Sequence, residues 1–305
     1  MKSIQTRPVL SKQTSVKKKS VTAKIIIYLL LLLYFAFLFF PFLIVVITSF
    51  TTDAELSTSM NFVWTPKFSM EGYRIVFEFD PNKTNGISSL FIGFFNVLWQ
   101  ALIPTVSGLM VSGLAAFAYA KYEFPGKQKF FTANLLLMTI PLSAGMASYL
   151  FYNAIGWTRG NASVLPLIIP GMFGSAGTIF FVYPYVKAVP SSIIEAAKID
   201  GMGFFSIFFH IVFPLSLPVF LSQFLFGFAG CYNNYTGALI YLSSQKHLWT
   251  LQLALEQIVA YVTGGGGYVN AQCAAAIMSL IPIILLYCFV QKFFISGLTA
   301  GSVKG

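Results

Sequence analysis

The stretch Val189–Pro218, VPSSIIEAAKIDGMGFFSIFFHIVFPLSLP, decides the fold. Its first part, SSIIEAAKIDGMG at Ser191–Gly203, is the most polar short run in the second half of a mostly apolar chain. Ser192 followed three positions later by Glu195 has the spacing of a capping box. Ile193 to Asp200 then makes two helical turns, and Gly201 is suited to end them in the left-handed conformation. Ala196 and Ala197 give this helix a shallow face on which another protein's surface approaches closely. A helix this short is not stable alone in water, so it needs tertiary packing or a partner.

What surrounds the stretch is oil. Of 305 residues, 57% are hydrophobic and only 9% charged, whereas a soluble domain carries about a quarter charged residues. Such a chain cannot cover its surface with charge, so its solvent is lipid. Cys231, Cys273 and Cys288 fall in or beside apolar runs without a CxxC pair, which indicates neither a disulfide framework nor a zinc site. His210 and His247 are far apart, and metal sites need clustered ligands. No metal site is expected.

A bilayer core takes about 20 apolar residues as helix. Six spans are expected, at about 25–50, 91–119, 130–151, 164–186, 207–231 and 271–294. The first has a basic front like a signal peptide, but it is much longer than an h-region of about 7–15 residues and no small-x-small cleavage site follows. We read it as a retained span. Ser107, Gly108, Ser112, Gly113, Ala115 and Ala116 in the second span predict close helix packing.

Six spans put both termini on one side. Seven of the nineteen bases precede Ile25, and this basic tail (1–24) is a topology signal rather than a nucleic-acid site. If the termini are cytoplasmic, fourteen bases lie inside and five outside: Lys67, Arg74, Lys83, Arg159 and Lys246. Six acids go the other way: Asp53, Glu55, Glu71, Glu78, Asp80 and Glu256. The stretch at 187–206 is then a cytoplasmic loop, and 51–89 and 232–270 are extracytoplasmic. A small helix is expected around MEGYRIVF, and a longer one at LWTLQLALEQIVAYV. Gly264–Gly267 reads as a flexible joint, since no lysine and serine or threonine follow to make a phosphate loop.

Apart from Lys292, near the end of the last, no Asp, Glu, Lys or Arg falls inside the six spans. Ion-coupled carriers and voltage sensors depend on such residues. No Walker A pattern occurs, and no nucleophile–base or carboxylate pair is placed for catalysis, so the chain is expected to be no enzyme. Asn96, Gln100, Asn134, Ser143, Gln223, Tyr232, Asn233 and Asn234 are candidates for hydrogen-bonding a sugar-like solute. The alternative is that they bond neighbouring helices.

EAA alone is a weak signal. Here a glycine follows it after a short interval, and then a hydrophobic stretch ending in L-P. That combination resembles the EAA motif of ABC-importer permeases. SGLAAFAYAKYEFPGKQKFF (Ser112–Phe131), IDG (Ile199–Gly201) and FFISGLTAGSVKG (Phe293–Gly305) resemble the carbohydrate-importer permeases of the maltose-transporter type. The resemblance covers about 25–305. One departure is YNNYTGALIYL, where Tyr232 and Ala238 stand in for the family's tryptophan and proline.

The resemblance implies an all-α type I ABC-importer transmembrane domain, with a C-terminal tail at 295–305. It implies a second homologous permease, two ATPase subunits and an extracytoplasmic solute-binding protein as partners, all around membrane lipid and without nucleic acid. ATP and Mg would sit on the ATPase subunits, and this chain would bind no cofactor. The docking set it implies is Ser192, Glu195, Ala196, Ala197, Asp200 and Gly201, with Glu195 pairing with a base on the ATPase. The solute implied is an oligosaccharide or monosaccharide. Glycerol-phosphate or a polyol is the alternative within the same class, and a secondary carrier is the alternative outside it. The lack of any base within the spans other than Lys292, near the end of the last, favours a neutral sugar.

Overall fold

A computed structural model of the chain describes residues 21–59, 64, 67–78, 88–139, 145–265 and 268–302, and of 21–23, 261–265 and 292–302 the backbone only. The chain divides into two units, 1–45 and 46–305. Among the described residues every regular element is helical. The first unit holds most of α1 (Val21–Ser49), an apolar helix with exposed side chains and with the rings of Phe35 and Phe39 stacked 4.2 Å apart.

The second unit begins with two short helices, α2 (Asp53–Thr58) and α3 (Glu71–Glu78), the latter where MEGYRIVF predicts one. Next come α4 (Ser89–Lys121), α5 (Lys127–Thr139), α6 (Met146–Ala154), α7 (Leu165–Met172) and α8 (Ala176–Ala188). Then follow α9 (Ser191–Ile199), α10 (Phe204–Ile207), α11 (Phe213–Leu215) and α12 (Leu217–Tyr232). The last three are α13 (Tyr235–Leu242), α14 (Leu251–Gly265) and α15 (Val269–Ser302). Side-chain oxygens start several of them: Ser88 accepts from the Leu90 N–H at 3.3 Å before α4, and Ser175 accepts from the Thr178 N–H at 3.1 Å before α8.

Among the described residues, four helical stretches are long and apolar enough to cross a membrane: Lys24–Ser49, Ser89–Lys121, Gly160–Ala188 and Val269–Gln291. The pair Phe204–Leu215 and Leu217–Tyr232, bent by 86°, is long and apolar enough for a fifth if its two halves count as one span. The sequence predicts a single run over 207–231. It breaks because Phe208–Val212 forms a π-helical turn and Pro214 and Pro218 flank Ser216, and prolines and π-turns are the usual causes of sharp kinks. The expected third span, about 130–151, is α5 and α6, with 140–144 between them outside the described residues. The fourth is interrupted at Gly174, where φ is +83°. The segment 232–270 is mostly helix, with α14 where LWTLQLALEQIVAYV predicts one; α14 continues through Gly265 of the expected glycine joint, and Gly266–Gly267 lie outside the described residues. The expected tail at 295–305 is instead the end of α15 as far as Ser302, with 303–305 outside the described residues.

The long helix α4 is the centre of the unit, and its small residues explain why. A Cβ added at Gly108 would meet the Gly171 carbonyl oxygen at 2.2 Å, and one at Gly171 would meet Pro104 Cβ at 2.7 Å. Two backbones can come this close only because both positions lack side chains. The approach lets Ser112 Oγ accept the Ser175 N–H at 3.0 Å, fixing the break between α7 and α8. At one end of α4, Val97 and Ala101 join Phe228, Tyr232, Leu255 and Ala274 in a buried cluster. At the other end, Phe117 joins Val182, Val186, Ile194, Phe208 and Phe220.

Near the first end, α2, α3 and α15 meet. The buried Asn270 donates to the Thr51 carbonyl at 3.1 Å and to Glu71 Oε2 at 3.3 Å, and Glu71 Oε2 also accepts the Asp53 N–H at 3.1 Å. Burial, and then the Glu71 carboxylate beside it, push the Asp53 carboxyl above its ordinary value of 3.8. The folded protein thus holds this proton more tightly than the unfolded chain. Its contribution to stability is greatest below that ordinary value and is lost as pH rises through the raised one.

Two outcomes test this packing. Gly108→Val should destabilise the protein by about 1–3 kcal/mol, the cost of overpacking, read as a lower thermal midpoint in detergent. Gly177→Ala should leave the midpoint in place, because nothing lies within 4 Å of the added carbon. With only three aspartates in the chain, carboxyl-13C labelling resolves Asp53. In Glu71→Gln its titration midpoint should fall yet stay above the ordinary value, since burial remains.

Candidate functional site: the α9 helix and the cavity beside α4

The chain enters α9 through Pro190, which occupies the N-cap with φ −59° and ψ 131° and provides no side-chain cap. This corrects the capping-box expectation. Proline holds its own φ near −65° and the helix begins at Ser191, so Ser192 is already its second residue and cannot serve as the cap. The exit follows expectation. Gly201 has φ +82°, its N–H donates to the Lys198 carbonyl at 3.1 Å, and the Met202 N–H reaches back to the Ala197 carbonyl at 2.9 Å. This pair of bonds is a Schellman motif, and Asp200 is the C-cap before it.

Ile194 and Ala197 are the buried residues of α9, and both pack into the cluster that contains Val182, Val186 and Ile207. Ala197 is therefore not part of an open docking face. At 100° per residue it lies a turn beyond Ile194, on the side the protein itself covers. Ser192, Glu195, Ala196, Ile199 and Asp200 are exposed, and Ile199 is 87% exposed. Sequence reasoning passed over Ile199. Its position seven residues after Ser192, on the face opposite Ile194 and Ala197, would have marked it.

The helix is fastened from behind. Lys198 Nζ sits 4.4 Å from the centre of the Tyr122 ring, and the Phe204 ring is 5.3 Å from Tyr122 and 4.9 Å from Phe117. Burial raises the Tyr122 phenol above its ordinary value. Lys121 Nζ donates to the carbonyls of Lys187 (2.9 Å) and Val189, closing the end of α8. A cation at a helix C-terminus is favoured by the helix dipole. Thus α4, α8, α9 and α10 meet in one aromatic and hydrogen-bonded joint.

The polar candidates within the spans separate. Among the described candidates only Gln223 lines the cavity of about 190 Å³ between α4, the α7–α8 break and α12, and Ser143 lies outside the described residues. Thr105, Ser175 and Thr178 line it as well, and no charged residue does. These hydroxyls went unremarked in the sequence; their position beside Pro104, Gly108 and Gly174 at helix breaks is the signal that finds them. Asn96 donates to the carbonyls of His247 (2.8 Å) and Trp249 (3.0 Å) and accepts from Trp99 Nε1 at 3.2 Å. Gln100 donates to the Leu248 carbonyl at 3.0 Å. Both are clasps for the turn before α14 and not cavity residues. Tyr232 is buried and donates to the Ser279 carbonyl at 2.8 Å. Asn234 caps α13 by accepting the Gly237 N–H at 3.0 Å, while Asn233 is exposed at the end of α12. Asn134 lies half-buried on α5, which does not line the cavity.

Residues 108–299 match the model of the binding-protein-dependent transport system inner membrane component. The chain belongs to this family. This inner membrane component is 31% identical over 270 residues to the arabinooligosaccharides transport system permease protein AraQ of Bacillus subtilis, covering 87% of this chain and 90% of that protein. It is 31% identical over 280 residues to the polygalacturonan/rhamnogalacturonan transport system permease protein YtcP of the same organism, covering 87% and 92%. In fold it is similar to a chain of a solved bacterial ABC transporter involved in the import of the acidic polysaccharide alginate. The TM-score is 0.74 and the identity 20%, over 90% of this chain and 98% of that one. The expected polytopic, all-helical importer architecture is therefore the fold observed.

The left-handed backbone at Gly201 makes a direct prediction. Gly201→Val should cost about 1–2 kcal/mol locally, the penalty for a side chain in that conformation. Amide hydrogen exchange over 191–203 should rise accordingly, with exchange at 105–116 unchanged.

Proposed function

We propose that this chain is the permease subunit of an ATP-binding-cassette importer for a neutral oligosaccharide. It pairs with a second, homologous permease to form the pathway. Two ATPase subunits, which carry ATP and Mg, dock below on the face of Ser192, Glu195, Ala196, Ile199 and Asp200. Both termini face the cytoplasm, in keeping with fourteen bases on that side against five. The chain spans the membrane six times, with α5 and α6 in the third crossing. Residues 51–89 and 232–270 face a solute-binding protein, which delivers the sugar.

The observation that carries this reading is α9 itself. A nine-residue helix with a Schellman exit is held rigidly from behind and presents an unpaired apolar knob and a carboxylate in front. Closure of the ATPases pushes on that face. The push passes through Ile194, Ala197 and the Tyr122–Phe204 contact into α4 and α8, and the spans turn between inward- and outward-facing. Nothing in α9 need be reactive for this; its residues are mechanical parts. The solute class is supported by relatives that carry arabinooligosaccharides, and by a cavity lined by hydroxyls and Gln223 without a charged group. A relative named for polygalacturonan and rhamnogalacturonan transport makes charge the property to test.

The experiment compares wild type with Glu195→Lys and Gly201→Asp in the complex reconstituted in vesicles. Uptake of arabino-oligosaccharide should fall at least tenfold in both variants. ATP hydrolysis should no longer respond to the loaded binding protein, while the permease stays folded. Uptake that continues unchanged without any ATPase would recast the protein as a secondary carrier. Uptake of oligogalacturonate in preference to neutral sugar would overturn the solute class alone.

A further inference from the structure

The segment between α9 and α12 has a surface that coupling does not use. Phe204–Leu215 stands at 86° to Leu217–Tyr232, and α12 is taken as the half that crosses. A helix perpendicular to a span runs along the membrane plane, and this one sits at the foot of α12. Ile207, Phe208 and Val212 bury one side of it in the cluster around Phe117 and Val182. The rest is left open in two rows of different chemistry. Phe205 and Phe209, 62% and 47% exposed, form one i, i+4 row. Ser206 and His210 form the next, where the His210 ring nitrogen meets the Ser206 carbonyl at 2.9 Å. Leu215, 58% exposed, lies at the elbow.

We propose that residues 204–215 lie in the headgroup layer of the membrane, with Phe205 and Phe209 dipped among the acyl chains and Ser206 and His210 at the headgroups. A polar row beside an apolar row on a helix lying in the interfacial plane is the arrangement that binds a lipid surface. Lys198 supports the same occupant. Lys198 stands over Tyr122, whose ring packs on Phe204 at the start of the segment, and its charge is suited to phospholipid phosphates. Each phenylalanine moved from water into the acyl boundary contributes in proportion to the apolar area it hides. The segment thus forms a foot that fixes the depth of the α9 joint relative to the bilayer. The inference rests on the membrane placement of α12 and not on what docks against α9.

The test places p-benzoylphenylalanine singly at Phe205 or Phe209 in the full chain, assembled with its partner subunits in vesicles of phosphatidylethanolamine and phosphatidylglycerol. After irradiation, mass spectrometry of the chain should show a gain of one phospholipid at each site. The same probe at Ile199 should show none. Each site decides separately, and the probe retains the aromatic ring already present. Cross-links from Phe205 and Phe209 into a protein subunit, or no adduct at either in an assembled complex, would overturn the proposal. Loss of coupling in Glu195→Lys with lipid adducts intact would leave it standing, so the two readings fail separately.

Discussion

The close approach of Gly108 to Gly171 sets the spacing on which the rest of the second unit depends. With the Gly171 carbonyl oxygen only 2.2 Å from where a Cβ would be, α4 and α7 run nearly backbone to backbone. Three consequences follow. Ser112 comes within reach of the Ser175 N–H, so the chain can break and restart between α7 and α8 without an orphaned donor. The space left beside the contact becomes the hydroxyl-lined cavity. And α8 is directed so that its last carbonyls fall to Lys121. A lipid-facing chain gains little from hydrophobic burial between its own spans, so such close contacts and polar clasps carry much of the specificity.

How α9 is held matters as much as what it exposes. Ile194 and Ala197 pack inward, and the Schellman bonds at Gly201 turn the chain directly into α10. A cation–π contact and two aromatic contacts then join this corner to the end of α4. A short helix that would not persist in water is thereby made a rigid protrusion. The proposed foot at Phe205 and Phe209 would support that protrusion from the membrane side.

Much of this was legible in the sequence, for definable reasons. The apolar runs, the EAA stretch, the helix stop at Gly201 and the small-residue stripe of α4 are local signals, and each has its counterpart in the structure. The misreadings came from non-local facts. Ser192 and Glu195 had capping-box spacing, but Pro190 had already begun the helix. Ala197 looked like part of a shallow outer face until the orientation of α9 against Val182 and Ile207 turned it inward. Asn96, Gln100 and Tyr232 had the chemistry to bind a sugar, yet each is engaged by a backbone carbonyl at least 47 residues away in sequence. Residue type alone does not distinguish a pathway amide from a clasp. The break at Ser216 was likewise hidden, because prolines within a span fix where a bend is possible but not how large it is.

The clasps on α4 have a mechanical consequence. Lys121 grips the end of α8, while Asn96 and Gln100 grip the turn before α14. Between Asn96 and Lys121 the helix rises about 38 Å. It is a rod pinned at both ends, with its middle seated against Gly171. A tilt of about 5° around that seat displaces each pinned end by about 1.5–2 Å in opposite directions over this length. A rigid tilt of this kind would have its fulcrum at a pair of glycines.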